Sequence, residues 1–281
     1  MNKKKKLKTT REIKATLALE NEFFKKLNDF SSKVNNSVYY WSRATFNKSF
    51  NKNVAKQLQF NFNDLRDYWD KEAKKIGESL SNNFTSKVEK YVKAKFNNEN
   101  PMFKNIATSK NERNQLTATY ERNLNLIKSI PNEIITRYES VFLNNVNNFN
   151  REALYNHFKT ISGISKRRAK TIARDQTHKA VINYQSARAE SLGFEYYVWK
   201  TAGDERVSTG KGGHKYLNNR IYKYSEATAI IDSYGNKGHC GERVNCRCVN
   251  VSLYLETGDK LKLVRDSEHG DYYILEKGKK D

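Results

Sequence analysis

Gly193-Phe194-Glu195-Tyr196-Tyr197-Val198-Trp199-Lys200-Thr201 is where this chain changes its period. Upstream, apolar residues recur every three or four positions. Here aromatic and β-branched residues run together and stop at Ala202-Gly203-Asp204, a turn. The stretch therefore reads as a strand and its exit. Similar alternation returns in residues 220–224 and 247–254, and in 261–264 and 272–275 around the turn residues Glu268-His269-Gly270-Asp271. The fold class is α+β: an elongated, mainly helical N-terminal region followed by a small α+β C-terminal domain.

Working backwards from Gly193, helical stripes account for most of the chain. They include Leu58, Phe62, Leu65 and Trp69, then Leu80, Phe84, Val88, Tyr91 and Val92. Two more are Leu116, Tyr120, Leu124 and Ile127, and Tyr138, Val141 and Phe142. Breaks are expected at 97–101, where Asn and Pro cluster, and at 129–131, where Pro131 can open a new helix. Glycine is almost absent before Gly163, whereas most of the 13 glycines follow it. This shift suggests a disordered basic arm at 1–10, a helical region at 11–160 and an α+β domain at 161–281.

At that boundary, Ile161-Ser162-Gly163-Ile164-Ser165-Lys166-Arg167-Arg168-Ala169-Lys170 has the outline of a helix-hairpin-helix, whose turn offers backbone N–H groups to a DNA phosphate. Ser165 stands where that motif usually carries its second glycine. The plainer reading is a turn at Gly163, with Ser165 capping a basic helix that runs to about Leu192 and stops at Gly193.

Lys and Arg number 52 against 31 Asp and Glu, a formal charge of +21 over 281 residues. Such an excess attracts polyanions, and double-stranded DNA held nonspecifically through its phosphates is the expected partner. Lys3, Lys4, Lys5 and Lys6 of the arm, with Lys166, Arg167, Arg168 and Lys170, are the candidate contacts. The competing reading is that surface lysines only maintain solubility. Lysines also interleave with aromatics, as in Tyr39-Tyr40-Trp41-Ser42-Arg43, but aromatics at helical spacing are more often core than base-stacking. No run of about eighteen apolar residues is present, so no membrane partner is expected. No apolar segment follows the N-terminal lysines, and secretion is not expected.

The rare residue types cluster late: Asp204-Glu205-Arg206, His214, His239, Cys240 and Asn245-Cys246-Arg247-Cys248. His214, His239 and the three cysteines could supply tetrahedral zinc, but the separated Cys-x-x-Cys of a zinc ribbon is missing. The expectation is accordingly no metal and no cofactor, with zinc as the alternative. Cys246 and Cys248 then act as small buried hydrophobes, and His214 fixes Asp204 and Arg206 as an ion-paired turn. A nuclease or toxin-like enzyme using Asp204, Arg206, His214, His239 and Cys246 is a further alternative. No paired-carboxylate metal motif, nucleophile elbow or phosphate loop supports it, so no catalytic residue is assigned and the chain is read as a non-enzyme.

Four ordered blocks resemble the minor head, or head-morphogenesis, proteins of tailed bacteriophages, the group typified by the Mu F-like domain. They are Ile172-Ala173-Arg174-Asp175-Gln176-Thr177, Val198 to Val207 with its Asp-x-Arg turn, His214-Lys215-Tyr216-Leu217-Asn218-Asn219-Arg220, and Asn245-Cys246-Arg247-Cys248. The motif residues carried over are Arg174, Thr177, Asp204, Arg206, His214, Asn245, Cys246, Arg247 and Cys248. Many members have Gly where Asn219 stands, and some carry a Cys-x-x-Cys where this chain has residues 208–211. The resemblance implies a virion protein inside the capsid, docked on portal or scaffold protein. It would assist head morphogenesis, be present in the host cytoplasm during assembly, and leave open ejection with the genome. A phage-derived DNA-binding effector with no capsid role is the rival reading.

Overall fold

A computed structural model describes residues 7–45, 52–144, 150–210 and 212–276. Four helices come first: α1 (Leu17–Thr45), α2 (Lys52–Glu99), α3 (Lys110–Asn144) and α4 (Arg151–Ser191), with a 3-10 turn at Pro101–Asn105 between α2 and α3. Seven strands follow: β1 (Tyr196–Lys200), β2 (Ile221–Lys223), β3 (Ala229–Ile230), β4 (Lys237–Gly238), β5 (Val249–Ser252), β6 (Lys260–Val264) and β7 (Tyr272–Glu276). The mainly helical first part and the small α+β second part are as the periodicity indicates.

The expected break at 97–101 is present. Asn100 caps the 3-10 turn by accepting from the Met102 N–H, and Pro101 occupies its first position, where a missing N–H costs nothing. The expected break at 129–131 is not. Pro131 lies inside α3, because Ile127, Ile130, Ile134, Ile135, Tyr138 and Phe142 form one buried stripe across it. Continuous burial outweighs a proline penalty of about 3 kcal/mol.

The turn at Gly163 is likewise replaced by uninterrupted helix. In α4, Leu154, Ile161, Ser165, Ala169, Ile172 and Ala173 are buried in helical register, and Ser165 sits mid-helix instead of capping it. Glycine permits a turn but does not compel one, and in a helix it costs only about 1 kcal/mol relative to alanine. The helix-hairpin-helix outline is therefore not formed. Gly193, at φ +88°, does end the helix as expected.

The chain forms two compact units. One comprises residues 17–86 and 118–176 and is helical. Its aromatic side chains interlock: Phe23 stacks on Phe84 at 4.4 Å, Phe30 meets Trp69 edge-on at 6.0 Å, and the Tyr39 ring lies 4.4 Å from Phe158. The Tyr138 hydroxyl donates to Asn35 Oδ1 at 3.1 Å, satisfying both groups in the interior. Gly77 admits the close approach of α3 to α2, since a Cβ there would lie 2.8 Å from Leu124 Cδ1.

The other unit comprises 7–16, 87–117 and the described residues from 177 onward. Its antiparallel sheet has the order β5-β1-β2-β7-β6, with Val198 opposite both Ile221 and Val251. Val198, Ile221, Val251 and Leu253 form the core on one face, and β3 and β4 make a separate short pair. Residues 7–10, expected as the end of a disordered arm, instead run beside β5. Thr10 N–H donates to Ser252 O, and Tyr254 N–H to Lys8 O. The exposed edge of β5 is thereby covered.

The helical part of this unit is fastened by a buried ion pair. Ser109 and Glu112 form a reciprocal capping box at the start of α3, each side chain accepting from the other's backbone N–H. Glu112 also accepts from the Tyr184 hydroxyl at 2.8 Å, from Ser191 Oγ and from Arg188 Nη1 at 3.2 Å. Arg188 Nη2 donates to the Phe103 carbonyl and Nη1 also reaches that of Ile106. The two charged side chains are 2% and 0% exposed. Burial alone would raise the Glu112 pKa, but the hydrogen bonds from Ser191, Tyr184 and Ser109, with the Arg188 charge, hold it below its ordinary 4.5. Its stabilising effect is therefore complete above that ordinary value and is lost as pH falls through the lowered one. Denaturant titration of Arg188→Ala should show a loss of about 3–5 kcal/mol at neutral pH, because Glu112 is left buried without its counter-charge. A smaller loss near pH 3, where protonation relieves that charge, should accompany it.

Candidate functional site

β1 leaves the sheet at Lys200 and enters the Asp204 turn, which is built on that carboxylate. Asp204 Oδ1 accepts from the Arg206 N–H at 3.2 Å, and Oδ2 from Arg206 Nη2 at 3.0 Å. The stronger partner is Arg247, whose guanidinium grips both carboxylate oxygens, Nη2 lying 2.7 Å from Oδ1. Arg247 first, and then Arg206, holds the Asp204 carboxyl far below the usual carboxylate range. The Asp204–Arg206 ion pair read from the sequence is present, but its further partner is Arg247, 43 residues downstream, and not His214.

His214 opens the 3-10 turn His214–Leu217. Its backbone N–H donates to Ser208 Oγ at 3.0 Å. Ahead of it Gly212 has φ +66°, and a Cβ there would lie 2.1 Å from the Asp232 carbonyl oxygen, so the crossing requires glycine. The 3-10 turn leads to Asn219 at φ +65°. Asparagine tolerates this left-handed conformation better than most other side chains.

The Asn245-Cys246-Arg247-Cys248 block enters β5. Asn245 takes φ +59°, the Cys246 N–H returns to the Arg243 carbonyl, and both Cys246 and Cys248 are buried. Their sulfurs lie 3.5 and 3.4 Å from His214 Nδ1. His214 Nε2 is 3.2 Å from the Ile231 carbonyl oxygen, an acceptor only. Nε2 therefore carries the ring proton, and the Nδ1 lone pair faces both thiols. Trp199 closes one side, edge-on to the imidazole at 5.3 Å.

Hydrogen bonding from Cys248 chiefly draws the Cys246 thiol well below its ordinary pKa. The same pairing and burial push Cys248 up. A pocket of about 250 Å³ opens on this group, with Arg206, Ser208, Arg243 and Arg247 in its wall.

The sequence candidates separate here into two sets. His214, Cys246 and Cys248 converge, with ligand atoms all within 4.8 Å of one another. His239 and Cys240 belong instead to the aromatic cluster of Tyr197, Tyr222 and Tyr224: His239 Nδ1 faces the Tyr197 hydroxyl at 3.4 Å, and burial pushes the Cys240 thiol up. The five-residue cleft of the enzyme reading is accordingly not assembled as drawn, because Arg206, His214 and Cys246 line the pocket and His239 does not.

Of the α4 motif residues, Arg174 is exposed and Thr177 is buried. Lys166, Arg167 and Lys170 are exposed, while Arg168 is half-buried and engaged by Glu133 and by Ser129 Oγ at 2.9 Å. Lys3, Lys4, Lys5 and Lys6 lie outside the described residues. Sequence reading missed His178, whose Nε2 donates to the Cys248 carbonyl at 2.9 Å, and Gln185, which donates to the Asn250 carbonyl at 2.6 Å. Their signal was a pair of polar residues seven apart on the buried face of α4.

Comparison with known proteins meets this geometry. Residues 139–251 match the family described as Phage Mu protein F like protein. An uncharacterized protein of Haemophilus influenzae (strain ATCC 51907 / DSM 11121 / KW20 / Rd) is 28% identical over 150 residues, which are 53% of this chain and 31% of the relative. The aligned part thus spans about a third of that protein. No solved structure matches. The family match begins in α3, takes in all of α4 and ends in β5, enclosing His178, Asp204, His214 and the cysteine block. Residues 139–251 are thus similar to the Phage Mu protein F like proteins, a phage head-related family.

Proposed function

We propose that this chain is a minor head protein of a tailed bacteriophage. It lies inside the capsid, assists head morphogenesis beside portal or scaffold protein, and binds double-stranded DNA without reading its sequence. The observation that carries the reading is the family match over 139–251, which covers the complete Asp204–Arg247 and His214–cysteine arrangement. The DNA component rests on the +21 charge and on Lys166, Arg167 and Lys170 along the exposed face of α4. Flexible cations on a helix face suit phosphates, which fix position and carry no sequence information. Arg168, already engaged by Glu133, is set aside as a contact. Passage into the host with the genome belongs to this reading, and catalysis does not. No helix among the described residues is long and apolar enough to cross a membrane.

Two measurements test the proposal. Mass spectrometry of purified particles should find the polypeptide; its absence would favour an effector made only after infection. Fluorescence anisotropy with unrelated duplexes should give equal affinities whose logarithm falls linearly with log salt, at a slope of about −0.9 per phosphate neutralised. Lys166→Glu, Arg167→Glu and Lys170→Glu should each flatten that slope by about 1. Affinity indifferent to salt, or no binding at low salt, would contradict the DNA component.

A further inference from the structure

We propose that His214, Cys246 and Cys248 bind a zinc ion, leaving a fourth coordination position open to the pocket between Arg206, Arg243 and Arg247. Four observations lead there. The three donor atoms come from two separate segments yet lie within 4.8 Å of one another, and all three residues are buried. The imidazole is already the right tautomer: Nε2–H is committed to the Ile231 carbonyl, so the Nδ1 lone pair points at the sulfurs. A backbone carbonyl fixing the distal nitrogen is the usual outer support of a metal-bound histidine.

The spacing also fits. Bonds of roughly 2.3 Å to sulfur and 2.0–2.1 Å to nitrogen, at tetrahedral angles, place those atoms about 3.6 Å apart. The N···S separations here are 3.5 and 3.4 Å. Without a metal, two thiols compete for one acceptor nitrogen. A zinc ion replaces both thiol protons, which pass to solvent, and two thiolates with neutral imidazole give a site of no net charge. Two soft thiolates and an imidazole favour zinc over magnesium or calcium.

The fourth position is decided by the pocket. Among the described residues no other His, Cys, Asp or Glu completes the group, and about 250 Å³ of space adjoins the sulfurs. Water from that space completes the tetrahedron. Arg206, paired with Asp204, and Arg243, which donates to the Ile231 carbonyl, line the same wall and keep it cationic, so an anion is the natural replacement for that water. Asp204 also occupies Arg247.

The test uses the full chain, stripped of metal and kept reduced. Added cobalt(II) should produce a near-ultraviolet sulfur-to-cobalt charge-transfer band and the intense visible bands of tetrahedral cobalt, and one equivalent of zinc should bleach them. Cys240→Ser should leave both bands intact, Cys246→Ser and Cys248→Ser should each weaken the charge-transfer band, and the double variant should abolish it. Should those variants not fold, alkylation of the unaltered chain decides the question. Peptide mapping should show zinc protecting Cys246 and Cys248, and a chelator should remove that protection. Absence of the charge-transfer band in the unaltered chain, or equal alkylation of Cys246 and Cys248 with and without zinc, would overturn the proposal.

Discussion

The buried ion pair between Glu112 and Arg188 is the constraint from which the candidate site is built. Two charges removed from water must satisfy each other and every remaining donor and acceptor. Here the Ser109 backbone, Ser191, Tyr184 and the carbonyls of Phe103 and Ile106 supply most of those partners, leaving Arg188 Nε without one. The knot thereby locks the start of α3, the 3-10 turn before it and the last turns of α4 into one arrangement. From α4, His178 and Gln185 reach the Cys248 and Asn250 carbonyls, and Asn250 Nδ2 returns to Ser186 Oγ at 2.8 Å. β5 is positioned by these bonds, and the cysteine block enters β5.

The Asp204 turn is tied to the same block from the other side. Arg247 stands between the two cysteines in sequence and grips Asp204, so one alternation of the backbone sends two side chains inward to His214 and one outward to a carboxylate. That arrangement needs Asn245 in a left-handed conformation and a glycine at 212. The Asp204, His214 and Asn245–Cys248 blocks are thus the parts of one fastening.

Much of this was legible in the sequence, for identifiable reasons. Period changes gave the strands around Trp199, Tyr222 and Val251, because a half-buried strand must alternate. The stop at Gly193 follows from backbone freedom. Pro131 and Gly163 misled, since local penalties of about 1–3 kcal/mol are outweighed by burial that extends along a whole helix face. The capping box at Ser109-Lys110-Asn111-Glu112 was present in the sequence as a signal, whereas the partnership of Glu112 with Arg188, 76 residues away, was not. Cysteine spacing likewise separates ribbon-like from other metal sites, but it cannot place His214 between Cys246 and Cys248 across more than 30 residues of intervening chain.

Amide hydrogen exchange on the unaltered chain and Glu112→Gln most directly tests whether the knot governs the site. The account predicts that the substitution lowers protection at the end of α4, around Tyr184 and Arg188, and by a similar factor at the amides of Val249–Ser252 in β5. Loss confined to the start of α3, with β5 protected as before, would contradict it.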